Sequence, residues 1–444
     1  MIEGKKIAFL TLGCKVNSYE TEAMQALLVK EGAVLVAFQE KADIYVVNTC
    51  SVTNMADRKS RQMLHKARKL NPDAVIVAAG CYAQTADVAA LKETGIDVIV
   101  GNNQKKEIVS ILNGFLCGKE NDRLDMAKET EYEDLSLDTQ VEHTRAYIKI
   151  QDGCNQFCSY CIIPYARGRI RSRRQEEVVA EVRRLAQAGY CEIVLTGIHL
   201  SSYGQPVSEG KQPLLELIGE LDKVPGIKRI RLGSLEPRII TEEFVKTLVG
   251  FQTVCPHFHL SLQSGCDSVL KRMNRKYTTK EYAESVDILR RYYENPAITT
   301  DIIVGFPQET EEEFSETVAY AKKIGFSKIH VFKYSRRKGT VADRMTGQVQ
   351  ENVKTVRSEQ LLAVEGALGE EYRKQMLGTR QWVLFEESSR MDGEVCQVGY
   401  NERYVRIAVK TEADVSNRIL PVRILETAHT EEALFGELEE GFQA

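Results

Sequence analysis

The amino-acid sequence predicts an α/β protein in three parts: an N-terminal parallel α/β sheet domain, a central six-unit (β/α) partial TIM barrel, and a C-terminal small β-barrel. Three observations predict it. From Lys6 to Val100, short apolar runs alternate with amphipathic segments, the pattern of strands buried on both faces between helices. Six further strand-helix repeats follow, fewer than the eight of a closed barrel. After Leu377 long helical segments cease and strands recur at short intervals, with the turn Met391-Asp392-Gly393 between two of them.

Taken in order, the first part (1–117) places strands at 6–12, 43–48, 74–79 and 97–100, with helices at 18–30 and 55–70. Residues 118–142 read as a linker, because acidic residues predominate, Gly and Pro are absent after Gly118, and no strand period is visible. The barrel (143–372) has strands at 147–150, 192–196, 229–232, 257–262, 299–304 and 328–334. Helices at 176–188, 242–248, 281–291 and 311–323 separate them. The tail (373–444) has strands at 381–385, 394–397, 404–409 and 418–425.

Composition excludes several classes. Hydrophobic residues at 43% and charged ones at 27% suit packed globular domains, against disordered or collagen-like chains. No apolar run is long enough to span a bilayer, and no cleavage pattern follows the N-terminal lysines, so a cytoplasmic protein without a membrane partner is expected. Eleven cysteines, an odd number, argue against a disulfide framework and for metal or redox chemistry.

Six of those cysteines fall in patterns. Cys154, Cys158 and Cys161 lie within eight residues, immediately after the first barrel strand. Three thiolates so spaced can fold round one face of a [4Fe-4S] cluster and leave a fourth iron free to chelate an outside ligand. Zinc is the competing occupant, since three cysteines and a borrowed histidine suit it too. Position at the carboxyl end of a parallel strand, where such barrels hold their active sites, favours the cluster. Cys14, Cys50 and Cys81 each follow a strand of the first sheet, about one strand-helix unit apart, and should converge at the edge where open α/β sheets bind ligands. Any one alone reads as an ordinary buried thiol. Cys117, Cys191, Cys255, Cys266 and Cys396 show no ligand spacing and are assigned to packing.

The loop Cys154-Asn155-Gln156-Phe157-Cys158-Ser159-Tyr160-Cys161 on a six-unit barrel resembles the radical S-adenosylmethionine (SAM) superfamily. With Leu12-Gly13-Cys14-Lys15-Val16-Asn17, Asn48-Thr49-Cys50 and Ala79-Gly80-Cys81-Tyr82, the whole chain is similar to the methylthiotransferase family. The resemblance implies two [4Fe-4S] clusters, one on Cys154, Cys158 and Cys161 that cleaves SAM, and an auxiliary one on Cys14, Cys50 and Cys81 that carries sulfur. It also implies an RNA-binding TRAM module for the tail. Within the family, the stretch from Gly13 to Glu20 resembles the bacterial branch acting on N6-threonylcarbamoyladenosine beside the tRNA anticodon, with methylthiolation at carbon 2. Isopentenyladenosine tRNA and a ribosomal-protein aspartate are the other substrates the family admits, and a zinc-stabilised RNA-binding scaffold is the alternative outside catalysis.

Further expectations follow from the resemblance. Thr196 and Gly197 would meet the SAM amino group, Ser234, Glu236 and Arg238 its carboxylate and ribose, and Gln263 and Gly305 its adenine pocket. Cluster potentials of roughly −400 mV or below require a low-potential electron donor such as a flavodoxin or ferredoxin. A sulfur donor is needed as well. The net charge of −4 does not mark a nucleic-acid binder, so RNA contact is expected from local basic stretches. These are Arg58, Lys59, Arg61, Lys66, Arg68 and Lys69, residues 167–174, and Arg336, Arg337 and Lys338, expected to track the anticodon stem-loop.

Overall fold

The computed structural model describes residues 2–119, 123–136, 144–206, 211–411, 413–428 and 432–439. The run Ile44–Thr49 is buried at every position, and it forms the middle of a five-stranded sheet whose strands are all parallel. Strands β1 (Lys6–Thr11), β2 (Val34–Val36), β3 (Ile44–Thr49), β4 (Val75–Ala79) and β5 (Val98–Val100) lie in the order β2-β1-β3-β4-β5. Only β2 escaped the sequence reading; it is a short edge strand, too brief for periodicity to register.

All six expected barrel strands form: β6 (Ala146–Asp152), β8 (Glu192–Gly197), β9 (Arg229–Leu232), β10 (His257–His259), β11 (Ala297–Val304) and β12 (Lys328–Lys333). A two-residue strand, β7 (Arg171–Ser172), pairs antiparallel with the end of β6. The β9 to β10 step is held by the isolated parallel bridges Ile230↔Val254 and Leu235↔Leu260, so the six strands form one arc. Helix Pro213–Asp222 and the 24-residue helix Glu351–Lys374 add to the four predicted ones.

Strand alternation decides what the arc encloses. Ala146, Ile148 and Ile150 of β6 join Val178 and Val182 in the core beneath the helices, which leaves Tyr147, Lys149 and Gln151 facing the lumen. By the same alternation Glu192, Arg231, His259, Asp301 and His330 are lumenal. Ordinary eight-stranded barrels fill that space with Val, Ile and Leu; this one is lined with polar groups.

The N-terminal domain spans the open seam between β6 and β12. On one side helix Lys15–Lys30 lies against β6. On the other, Arg337, just past β12, donates to Asn54 Oδ1 and Ser51 Oγ and pairs with Asp57, each at 2.8 Å.

The tail is a closed five-stranded barrel of β13 (Arg380–Met391), β14 (Glu394–Asn401), β15 (Arg406–Val409), β16 (Ile419–Thr427) and β17 (Ala433–Leu438), in the order β13-β14-β15-β17-β16. The sequence reading lacked β17, which closes the ring by pairing parallel to β15 and antiparallel to β16. This barrel docks under the lumen: Arg229 and Arg231 donate to the carbonyls of Trp382, Tyr400, Asn401 and Glu402.

The expected linker contains neither strand nor helix among its described residues, 118–119 and 123–136; residues 120–122 and 137–142 lie outside them. It is nevertheless tied down along its length. Arg123 donates to the carbonyls of Ala83 and Ala86 at 2.7 and 2.6 Å, Glu133 accepts from the Lys106 N–H at 2.8 Å, and Asp134 pairs with Arg173 at 2.9 Å. Two acidic side chains of the linker thus hold the flanking domains, Glu133 through the Lys106 backbone and Asp134 through Arg173. No described helix is long and apolar enough to cross a membrane.

Candidate active site

The loop after β6 reverses within a few residues because two positions take left-handed backbone. Gly153 has φ +71°, and a Cβ there would lie 1.8 Å from the Arg169 carbonyl oxygen, so no side chain fits. Phe157 has φ +48°, its ring covered by the Arg169 guanidinium 4.6 Å from the centroid. The segment after β10 clamps the loop: Asn274 Nδ2 donates to the Phe157 carbonyl at 2.9 Å, and Ser159 Oγ donates to that of Arg272 at 2.8 Å.

Cys154, Cys158 and Cys161 are thereby brought together, partly exposed. Burial pushes the Cys154 thiol up to about 11 and the Cys161 thiol to about 12, and the neighbouring Cys158 adds repulsion to both. Arg275 Nη1 donates to Cys158 Sγ at 3.2 Å. Arg275 was absent from the sequence reading; only its place beside the cluster loop reveals it, and nothing in its local sequence signals it. Three neighbouring thiols beside a fixed guanidinium form a donor set that a thiophilic metal cluster satisfies.

Cys14, Cys50 and Cys81 lie at the carboxyl edge of the N-terminal sheet, after β1, β3 and β4. A Cβ at Gly13 (φ +107°) would meet Cys50 Cβ at 2.9 Å and Sγ at 3.0 Å, so the Cys14 and Cys50 loops touch. A Cβ at Gly80 (φ +87°) would meet Asn48 Oδ1 at 2.4 Å, which packs the Cys81 turn onto β3. Cys14 keeps exposed surface although protein surrounds it closely enough for desolvation to raise its thiol. Burial lifts Cys50 to about 11, with repulsion from Cys81 and Cys14 adding to it. Asn102 Nδ2 approaches Cys81 Sγ at 3.7 Å.

A buried ion network joins the two triads. Glu20, Lys105, Lys149 and Arg167 have side chains with no solvent exposure. Glu20 receives Lys149 at 2.7 Å, Arg167 at 2.8 Å and Lys105 at 3.0 Å, and Asp152 receives Lys149 at 2.7 Å and Arg167 at 3.1 Å. Burial alone would raise the Glu20 carboxyl, but Arg167, Lys105 and Lys149 outweigh it and hold it well below the carboxylate range. Three cations thus face two carboxylates, and Arg167 also attracts Cys81. The surplus positive charge suits an anionic thiolate-bound cluster on Cys14, Cys50 and Cys81.

Of the other expected residues, the structure groups some near the Cys154 loop. Glu236 accepts from Arg238 Nε at 2.8 Å and from Gln156 Nε2 at 3.4 Å, with His199 Nε2 3.5 Å away. Desolvation opposes ionisation there, yet the nearby His199 and the Arg238 hydrogen bond hold Glu236 at about 2. Thr196 and Gly197 end β8, with Gly197 packed on Gln151, whose Oε1 accepts from the His199 N–H at 2.7 Å. Ser234 is exposed after β9. Gln263 follows β10 with φ +74°, bonded in register with β11. At Gly305 a Cβ would meet Lys354 Cγ at 2.3 Å, so its missing side chain makes room for helix Glu351–Lys374.

Two expectations need correction. Arg337 is buried in the contact between domains, Arg167, Arg171 and Arg173 are buried as counterions, and Arg68 holds the carbonyls of Pro72, Ala74 and Gly95, so none of these presents its charge to RNA. Arg58, Lys59, Lys66 and Lys69 on helix Asn54–Leu70 and Lys338 remain exposed. Cys117, assigned to packing, is exposed at the end of helix Ile108–Leu116.

Comparison with known proteins agrees with this geometry. Residues 148–321 match the Radical SAM superfamily, and residues 6–101 match Uncharacterized protein family UPF0004. The radical SAM methyltransferase TsrM of Kitasatospora setae has a similar fold, with a TM-score of 0.57 and 15% identity over 82% of this chain and 89% of that one. Fold and match define a radical SAM enzyme. The threonylcarbamoyladenosine tRNA methylthiotransferase MtaB of Bacillus subtilis is 42% identical over 95% of this chain and 94% of its own. Its Thermotoga maritima namesake is 39% identical over 90% and 91%. The tRNA-2-methylthio-N(6)-dimethylallyladenosine synthase of Finegoldia magna is 34% identical over 94% and 92%. The chain belongs to the radical SAM methylthiotransferase family, enzymes that transfer a methylthio group.

Proposed function

We propose that this enzyme methylthiolates carbon 2 of N6-threonylcarbamoyladenosine next to the anticodon of tRNA, using SAM and two [4Fe-4S] clusters. The observation that carries the reading is the buried ion network between the two thiol loops, in which Lys149 and Arg167 each bind both Glu20, on the helix that follows Cys14, and Asp152, two residues before Cys154. We assign Cys154, Cys158 and Cys161 to the cluster that binds SAM and Cys14, Cys50 and Cys81 to an auxiliary cluster. We divide the chain into a domain for the auxiliary cluster (1–117), a connecting strap (118–142), the SAM barrel (143–372) and an RNA-binding barrel (373–444).

When bound, SAM and its cluster supply a 5′-deoxyadenosyl radical, which can take hydrogen from an aromatic carbon whose C–H bond has no useful acidity. The protein's own residues hold the parts in place. Arg275 fixes Cys158, while Glu236, kept ionised by His199 and Arg238, offers an acceptor for SAM hydroxyl or amino groups. Thr196, Gly197, Ser234, Gln263 and Gly305 complete the SAM assignment. Electrons come from a low-potential flavodoxin- or ferredoxin-type donor, and sulfur from a separate donor.

Three relatives named for threonylcarbamoyladenosine, at 38–42% identity, support this substrate over dimethylallyladenosine, whose named synthases stand at 34–37%; a fourth so named, from Chlamydia pneumoniae, is 34% identical. Mass spectrometry of tRNA nucleosides from a deletion strain tests it. Loss of 2-methylthio-N6-threonylcarbamoyladenosine alone is expected, and loss of the dimethylallyl product instead moves the assignment to the second substrate. Anaerobically purified protein should hold two clusters; colourless protein with zinc refutes catalysis.

A further inference from the structure

Among the cations around the lumen, one lacks a counterion. Arg145 and Arg231 each reach Glu192 at 2.7 Å, Arg229 reaches it at 3.5 Å, and Lys149 has Glu20 and Asp152 at 2.7 Å. Lys15, by contrast, has no ion-pair partner among the described residues. Its ammonium sits between two aromatic rings, 5.7 Å from the centroid of Tyr147 on β6 and 5.7 Å from that of Tyr404 in the β14–β15 turn. It is the first residue of helix Lys15–Lys30, which has no acidic residue in its first turn and no side-chain cap at Cys14, so backbone N–H dipoles add to its field.

We propose that Lys15 is the anchor for the carboxylate of the amino-acid substituent on the substrate nucleoside, placed one residue from the sulfur-bearing Cys14. The proposal rests on the threonylcarbamoyl reading above and deepens it. An exposed ammonium set between two aromatic rings, with no ion-pair partner of its own, is open to an anion.

The facing strands offer hydrogen bonds without a second charge of the same kind. His259 Nδ1 shares a proton with Thr299 Oγ1 at 3.0 Å, and its Nε2 lies 3.4 Å from Asp301. His330 is register partner to Asp301; desolvation draws its imidazole down, the Asp301 charge opposes this, and His259 adds to the lowering. These three side chains could also hold a divalent cation, their donor atoms lying within 4.8 Å of one another. The uncompensated Lys15 charge beside them repels such an ion and favours hydroxyl and amide groups carried by an anion. Anchoring the carboxylate here fixes the purine relative to Cys14, because anchor and thiol are consecutive on one rigid helix terminus.

The test uses the full chain with its clusters reconstituted and a labelled anticodon stem-loop in two forms, one with the free threonyl carboxylate and one with its methyl ester. Fluorescence anisotropy gives the affinity for each. A charge pair at this exposed lysine predicts an acid-over-ester preference of about 5-fold for the native chain. Lys15→Met should reduce the preference to near unity and Lys15→Arg should restore most of it. The ratio is internal to each variant, so partial loss of iron does not blur it. A Lys15→Met chain that keeps the native ratio overturns the assignment, as does a native chain with no acid-over-ester preference while still favouring the modified stem-loop over plain adenosine. Failure of the native chain to favour the modified stem-loop over plain adenosine sinks the functional reading instead.

Discussion

Replacing Glu192 by Gln should loosen the C-terminal barrel from the rest of the molecule. Glu192 is buried and gathers Arg145 and Arg231 at 2.7 Å and Arg229 at 3.5 Å. Two of those guanidiniums hold the barrel by its carbonyls. Desolvation opposes the charged carboxylate, but Arg231 and Arg145 lower it from the ordinary 4.5 to about 2. At about 1.36 kcal/mol per unit, that difference stabilises the folded state by about 3 kcal/mol at neutral pH. Removing one partner of a buried pair costs about 3–5 kcal/mol, which agrees. Trp382, the single tryptophan, accepts at its carbonyl oxygen from Arg229 Nη2 at 2.6 Å, so its fluorescence reports the docked barrel. In urea titrations at pH 7 the Glu192→Gln chain should lose about 3 kcal/mol in the Trp382 transition. A carboxyl held lower when folded stabilises above its unfolded value and loses that contribution as pH falls through its folded value. The gap between native and variant chains should therefore be full above about pH 4.5 and shrink toward pH 2. A shift below about 1 kcal/mol at pH 7, or a gap that does not narrow in acid, refutes the reasoning.

Other perturbations separate the two triads. Cys158→Ala should abolish both 5′-deoxyadenosine and product, whereas Cys50→Ala should spare part of SAM cleavage and abolish sulfur insertion, both read by liquid chromatography of reaction mixtures. Arg275→Met removes a cation 3.2 Å from Cys158 Sγ, so the midpoint potential of that cluster should fall in an EPR-monitored redox titration; an unchanged or higher potential contradicts the electrostatic role. Gly153→Ala drives a Cβ into the Arg169 carbonyl and should halve bound iron, measured against the native chain. Charge reversal at Lys59 and Lys66 should weaken tRNA binding and flatten its salt dependence, whereas Arg337→Gln should instead lower stability with little change in that slope.

Much of the architecture was legible because its signals are local. Runs such as Ile44–Thr49 and the six lumenal strands declare themselves by burial period, and a cysteine directly after a strand must lie at the sheet's carboxyl edge. Strands β2 and β17 were missed because three residues at an edge and a six-residue run late in the tail carry too little pattern. Arg275 and Lys15 are informative only through neighbours distant in sequence.

The succession of strands and helices along the chain and the spacing of six cysteines in two sets were thus determined by the sequence itself, through consecutive strand-helix units. What the charged residues do was decided by tertiary structure alone. Arg58 and Arg167 look alike as letters in a chain, yet one is exposed while the other is sealed against Glu20, 147 residues away. A charge has no periodicity to betray its partner. Its energy depends on the dielectric and the counterions that packing brings to it, and those exist only once distant segments have met.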